Sequence, residues 1–217
     1  MSANSLKTEL VYLLRNSDVM TTTERNVTTQ TDEDTLDGDT TYTIARTNVK
    51  NIRSITIDTT VLRYGEDYTV NADKVSGTTI VCEITFNAAQ SGEMTLVYDY
   101  GSDKIFNDMP RKDLTMSSYP RISIEEISKQ TDALSVGGKD FISNRLYTIT
   151  VFSENQEYIE EKIETIENLI MTNAKTLYYS YFIRPTGRGP IIKTDNRNQI
   201  IIQKNVDLTS YYEVKNV

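Results

Sequence analysis

The sequence predicts an α+β protein: a short helix, a β-rich region forming its own folding unit, then a β-β-α cassette with closing strands. Three observations carry this expectation. Leu6, Leu10, Leu13 and Leu14 recur at the spacing of one helical face. Residues 40–100 change to a period of two with frequent turn residues. Residues 119–175 then run through two strand-like segments into a long amphipathic helix.

Taken in order, residues 4–15 read as the first helix, stopped by Asn16-Ser17-Asp18. Residues 21–39 are rich in Thr, Asp and Asn and offer little to bury, so they read as a solvated linker or long loop. Its acids Asp32, Glu33, Asp34, Asp37 and Asp39 lack the spacing of a calcium-binding loop with its central glycine and closing bidentate glutamate. Beyond it, runs such as Ile52 to Ile57, Thr79 to Phe86 and Met94 to Tyr100 alternate or are rich in β-branched and aromatic residues. Gly65-Glu66-Asp67, Ser76-Gly77 and Gln90-Ser91-Gly92 punctuate them, the pattern of a small β-sandwich. Residues 101–116 are irregular and contain Pro110, which reads as an extended connector.

The cassette opens with Tyr119-Pro120-Arg121-Ile122-Ser123-Ile124, passes a turn region at Val136-Gly137-Gly138-Lys139, and returns through Leu146 to Phe152. Ser153 and Gln156 fit a capping box for the helix that follows. Ile159, Ile163, Ile166, Leu169 and Ile170 form its apolar stripe, and Glu157, Glu160, Glu161, Glu164 and Glu167 occupy the other faces. Leu177 to Ile183 is an aromatic strand, residues 184–198 a basic loop, and residues 200–212 one or two closing strands.

The composition points away from catalysis. The 217 residues, enough for one large domain or two small ones, include no histidine, one cysteine and no tryptophan. The commonest general base and the usual metal-ligand and Cys-His pairings are therefore missing, and neither an enzyme nor a cofactor is expected. Cys82 lies in a strand-like run and reads as an inert thiol. Glutamates spread evenly along a helix, with Lys162 among them, do not make the converging pair that acid-base chemistry needs. Arg184-Pro185-Thr186-Gly187-Arg188-Gly189-Pro190, with Lys193 and Arg197, is the sharpest basic cluster, but it lacks the Lys-Ser/Thr signature of a phosphate loop. The chain has fourteen tyrosines, and those in alternating strands suit packing and interfaces. No run approaches the roughly 20 apolar residues of a membrane span, and no signal-peptide core is evident, so the chain is expected to stay where it is made.

Charge divides the chain unevenly. Residues 27–100 hold twelve Asp/Glu against five Lys/Arg, which accounts for nearly all of the net charge of -8. The expected domains are therefore residues 1–26 with 101–217, and residues 27–100 as an inserted, immunoglobulin-like β-sandwich.

The order of a helix, the Tyr119 to Ile124 strand, the Thr148-Ile149-Thr150-Val151 strand, the helix at 155–174 and closing strands ending near Tyr212 resembles the tail terminator, or tail completion, proteins of long-tailed viruses. The resemblance covers residues 4–15 and about 117–214 and departs from the family pattern at residues 40–100. It implies a small α/β domain whose mixed or antiparallel sheet is packed by two helices. It also implies a virion protein made in the host cytoplasm, forming a ring, usually hexameric, that caps the tail tube and joins it to the head connector. Implied partners are further copies of the chain, the tail tube protein, a head connector or head-completion protein, and transiently DNA in the lumen, with no membrane. Another neck component and a β-sandwich adhesion subunit are the alternatives.

Ring closure requires two different, complementary surfaces. The candidates are the acidic helix face of Glu157, Glu160, Glu161 and Glu164 and the basic loop of Arg184, Arg188, Lys193 and Arg197, which faces a neighbouring subunit or the lumen. Phe106, Met109 and Arg111 are the candidates for a connector arm laid on a neighbour.

Overall fold

The computed structural model describes residues 5–76, 79–107, 119–133, 140–180, 182–196 and 199–215. The chain divides into two compact units, Met1–Asp103 and Lys104–Val217. Among the described residues there are eleven strands and three helices.

In the first unit, α1 (Leu6–Asn16) begins at Ser5, whose hydroxyl accepts from the Thr8 amide at 3.3 Å. Leu6, Leu10, Val11 and Leu14 form its buried stripe. The single turn α2 (Thr22–Arg25) is fixed by a reciprocal capping box: Thr21 N donates to Glu24 Oε2 at 2.7 Å, and Glu24 N donates to Thr21 Oγ1 at 3.2 Å. Asn26, at φ 58°, ends the turn and launches β1 (Val27–Ile44).

β1 pairs antiparallel with β5 (Thr79–Gly101) along nearly its whole length. β5 also takes β2 (Val49–Ile57) beside residues 94–100 and β4 (Tyr68–Ser76) beside residues 79–86, while the short β3 (Thr60–Val61) flanks β2. Register shifts near Asp37, Asp39 and Thr41 mark where the long pair bends. At that bend Gly92 has φ +125°, and a Cβ there would lie 2.5 Å from Asp58 Oδ2. The two halves of the five-stranded sheet share one core, including Leu36, Ile44, Ile55, Tyr68, Cys82, Ile84, Phe86, Leu96 and Tyr98.

In the second unit, β6 (Ile105–Phe106) runs parallel to β7 (Arg121–Ala133), the one parallel pair among the described strands. β7 pairs with β8 (Asp140–Ser153), and β8 with β11 (Gln199–Lys215) over fourteen residue pairs. β9 (Phe182–Arg188) and β10 (Ile192–Asn196) succeed one another along the outer edge of β11. Between β8 and β9, α3 (Gln156–Thr172) lies on one face of this sheet with Ile159, Ile163, Ile166 and Ile170 buried. Directly paired residues share a face, so Ile122, Ile124, Ile149, Val151, Val206 and Leu208, all fully buried, form the α3 side of that core.

The expected α+β architecture is corrected by this arrangement. The chain is predominantly β, with two large sheets, and the sheet of the second unit is covered by one helix among the described residues, not two. α1 lies in the first unit, where it packs against β2. The largest gain in strand comes from residues 21–39, which form α2 and most of β1 instead of a linker. Their sequence hides this because β1 buries only Leu36 and Ile44 and is held by backbone pairing to β5.

Candidate functional site

The candidate residues around α3 are positioned by the register of the sheet beneath it. Val206 is paired with Arg188 and Val151 with Lys204, so both basic side chains rise on the α3 side. Arg188 Nε donates to Glu167 Oε1 at 2.8 Å, its Nη2 also engages Glu167, and Lys204 Nζ donates to both oxygens of Glu160 at 2.8 and 2.6 Å. The hydrogen bond and charge of Glu167 raise the Arg188 pKa. Two members of the predicted acidic and basic sets are therefore engaged inside one chain, Arg188 with Glu167 and Glu160 with Lys204.

Five others are exposed. Glu157, Glu161 and Glu164 are exposed along the outer side of α3, with Lys162 reaching Glu161 at 3.4 Å. Arg184 on β9 and Lys193 on β10 are exposed along the sheet's outer edge. Arg197, Met109 and Arg111 lie outside the described residues. Phe106 is half-buried on β6, paired with Ser123 of β7. The cap of α3 is Asn155, not Ser153: its Oδ1 accepts from Glu157 N at 2.9 Å, while Ser153 Oγ accepts from Asn155 N at 3.2 Å.

Sequence reasoning missed a buried ion cluster in the first unit. Arg25, delivered by α2 and fully buried, donates Nε and Nη2 to the two oxygens of Asp103 at 3.2 and 2.8 Å. Its Nη1 donates to Asp99 Oδ2 at 2.9 Å and to the Arg15 carbonyl at 3.1 Å. Asp99 accepts further bonds from Arg53 Nε and Thr29 Oγ1, both at 2.7 Å, and from Asn51 Nδ2 at 3.3 Å. Arg15 Nε lies 2.9 Å from Asp103 Oδ2. Burial alone would raise the Asp99 pKa, but the Arg53 and Thr29 hydrogen bonds and the Arg25 and Arg53 charges outweigh it and hold Asp99 below its ordinary value. Burial likewise opposes the charge of Arg25, and the hydrogen bonds and charges of Asp103 and Asp99 prevail, raising its pKa.

This cluster ties α1, α2, β1, β2 and the end of β5 together, and its carboxylates are saturated with donors. It is a clamp, with no carboxylate left to act on a substrate. Among the described residues, no three acidic, histidine or cysteine side chains converge as a metal site would require. Cys82 is buried in the first unit's core. An open polar groove of about 530 Å³ lies beside Asn26, Asn48, Lys50, Tyr100 and Ser102. In comparison with known proteins, no protein-family model matches the chain and no curated protein matches it in sequence.

Proposed function

We propose that this chain is a structural virion protein that closes into a ring on the end of a virus tail tube and joins the tail to the head connector. The reading rests on the resemblance of its strand-strand-helix-strand order to tail terminator proteins. The observation that carries it is the pair of exposed surfaces of opposite charge in the second unit. Glu157, Glu161 and Glu164 line the outer side of α3, and Arg184 and Lys193 line the β9–β10 edge. Two unlike, complementary surfaces on one subunit are what a heterologous, ring-closing contact needs. Arg188 is committed to Glu167 within the chain, so the basic half of the contact falls to Arg184 and Lys193.

The test is charge reversal at these two positions. The double substitution Arg184→Glu with Lys193→Glu is expected to shift the assembly toward monomer in light scattering, and adding Glu161→Lys with Glu164→Lys is expected to restore it. Unchanged assembly in the first variant rejects this contact.

A second reading, a binding subunit acting through the β-rich first unit, is favoured by one observation, the polar groove beside Lys50 and Tyr100. It predicts that Lys50→Ala abolishes binding of a soluble ligand to the full chain while leaving its assembly intact.

A further inference from the structure

The polar groove of the first unit is walled by backbone that is already committed. Gly101 N donates to the Asn48 carbonyl at 3.0 Å and Ser102 N to the Asn26 carbonyl at 3.3 Å, while Tyr100 is paired with Thr28 on one side and Val49 on the other. Asn26 and Asn48 both turn the chain at φ 58°. Gly101, at φ +141°, lets β5 pass the Asn26 carbonyl, from which a Cβ would lie only 2.6 Å away. The shape of the groove is therefore fixed by the fold. Its side chains are not spent in the same way. Among the described residues Thr28, Asn48 and Lys50 make no side-chain hydrogen bond, and Ser102 Oγ accepts from Asn26 Nδ2 with its own proton left to give.

Charge sets this groove apart from its surroundings. Residues 27–100 carry twelve Asp/Glu and five Lys/Arg, yet no carboxylate lines the groove. Three of the five cations are paired with acids: Arg53 with Asp99 at 2.7 Å, Arg63 with Glu66 at 3.6 Å, and Lys74 with Glu83. The other two, Arg46 and Lys50, form no ion pair among the described residues. Both are at the groove. Lys50 lines it, and the exposed Arg46 lies over the ring of Tyr100, 4.4 Å from its centroid. A second hollow of about 370 Å³, also without a carboxylate, shares Asn48 and Lys50 with the first, so Lys50 stands where the two meet. Thr47 and Thr79 add hydroxyls to it.

We propose that this groove binds a hydroxyl-rich small molecule carrying one oxyanion, a sugar carboxylate or a sugar phosphate, with the oxyanion on Lys50. The Lys50 ammonium is a compact point charge with three donors, suited to either oxyanion, and Arg46 adds to its field. Thr28 and Asn48 both donate and accept, and Ser102 donates, which is what the hydroxyls of such a ligand need. The volume lies within the range of small-molecule sites. Nucleic acid fits poorly, because the surrounding acidic unit repels its phosphate backbone and Arg46 covers one face of the Tyr100 ring on which a base would stack. The inference rests on the second reading above, a first unit that binds a soluble ligand, and it stands whether or not the ring reading holds.

The test is saturation-transfer difference NMR on the full chain with glucose, glucuronate and glucose 6-phosphate, sugars that carry an alcohol, a carboxylate or a phosphate at the same position of one ring. At least one of the two anionic sugars is expected to bind about tenfold more tightly than glucose, and which one does so tells carboxylate from phosphate. Lys50→Met keeps the stem, loses the charge and is expected to remove that advantage, whereas Arg63→Gln, which removes a cation already paired with Glu66, is expected to keep it. In the wild-type chain alone, raising sodium chloride from about 20 to about 500 mM is expected to weaken the anionic sugar and leave glucose unchanged. If glucose binds as tightly as both anionic sugars and Lys50→Ala abolishes all three, the second reading stands and the oxyanion is rejected. If none of the three binds, the second reading falls and this inference with it. An advantage that survives Lys50→Met, or is lost in Arg63→Gln, overturns the assignment of the oxyanion to Lys50.

Discussion

Arg25 and Arg121 have the same side chain and the same burial, but opposite surroundings: two carboxylates for the first, two aromatic rings for the second. Neither was legible in the sequence. The carboxylate partners of Arg25 lie 74 and 78 residues away, and no local spacing announces them. What a linear reading sees is an arginine in a polar stretch. Removing it breaks two buried ion pairs at once and leaves Asp99 to Arg53 and Asp103 to Arg15, so Arg25→Met is expected to cost about 3–5 kcal/mol in denaturant unfolding. The cluster also sets an acid limit. Because Asp99 is held below its ordinary pKa, its contribution is complete above the unfolded value of about 4 and disappears as pH falls through the lower folded value. Stability measured from pH 6 downward is therefore expected to decline below about pH 4, and Asp99→Asn, destabilised throughout, is expected to show a shallower decline.

At the scale of elements, legibility followed burial. α3 was plain because its isoleucines recur at helical spacing and all face the sheet. The alternating strands of the first unit were plain for the same reason, with Ile55, Ile57, Leu96 and Tyr98 inward. β1 was hidden, since a strand with two buried residues in eighteen carries no period to detect and its acids read as solvated loop. The cap of α3 was misplaced by two residues because Ser153 and Asn155 are both good capping types. Geometry decides between them: Asn155 Oδ1 accepts from both Glu157 N and Tyr158 N. Asn155→Ala is expected to lower stability by about 1 kcal/mol, while Asn155→Asp is expected to be nearly neutral. A larger loss in Ser153→Ala than in Asn155→Ala would return the cap to Ser153.

At the scale of the molecule, the chain carries two units with different organising devices. The first closes a bent five-stranded sheet on one core and clamps its end with ions. The second lays one amphipathic helix on an antiparallel sheet and leaves charge of opposite sign on α3 and on the outer edge strands. That charge was visible in the sequence as an acidic helix and a basic loop. Its internal use was not, because Glu167–Arg188 and Glu160–Lys204 depend on the register of β9 and β11. What remains outward is the proposed basis for assembly, and the central claim is that the chain closes on itself. Native mass spectrometry of the purified chain tests this most directly. A single discrete oligomer, expected to be a hexamer and unchanged over a wide range of protein concentration, is the predicted result; a monomer at every concentration, or an open-ended ladder of sizes, would contradict it.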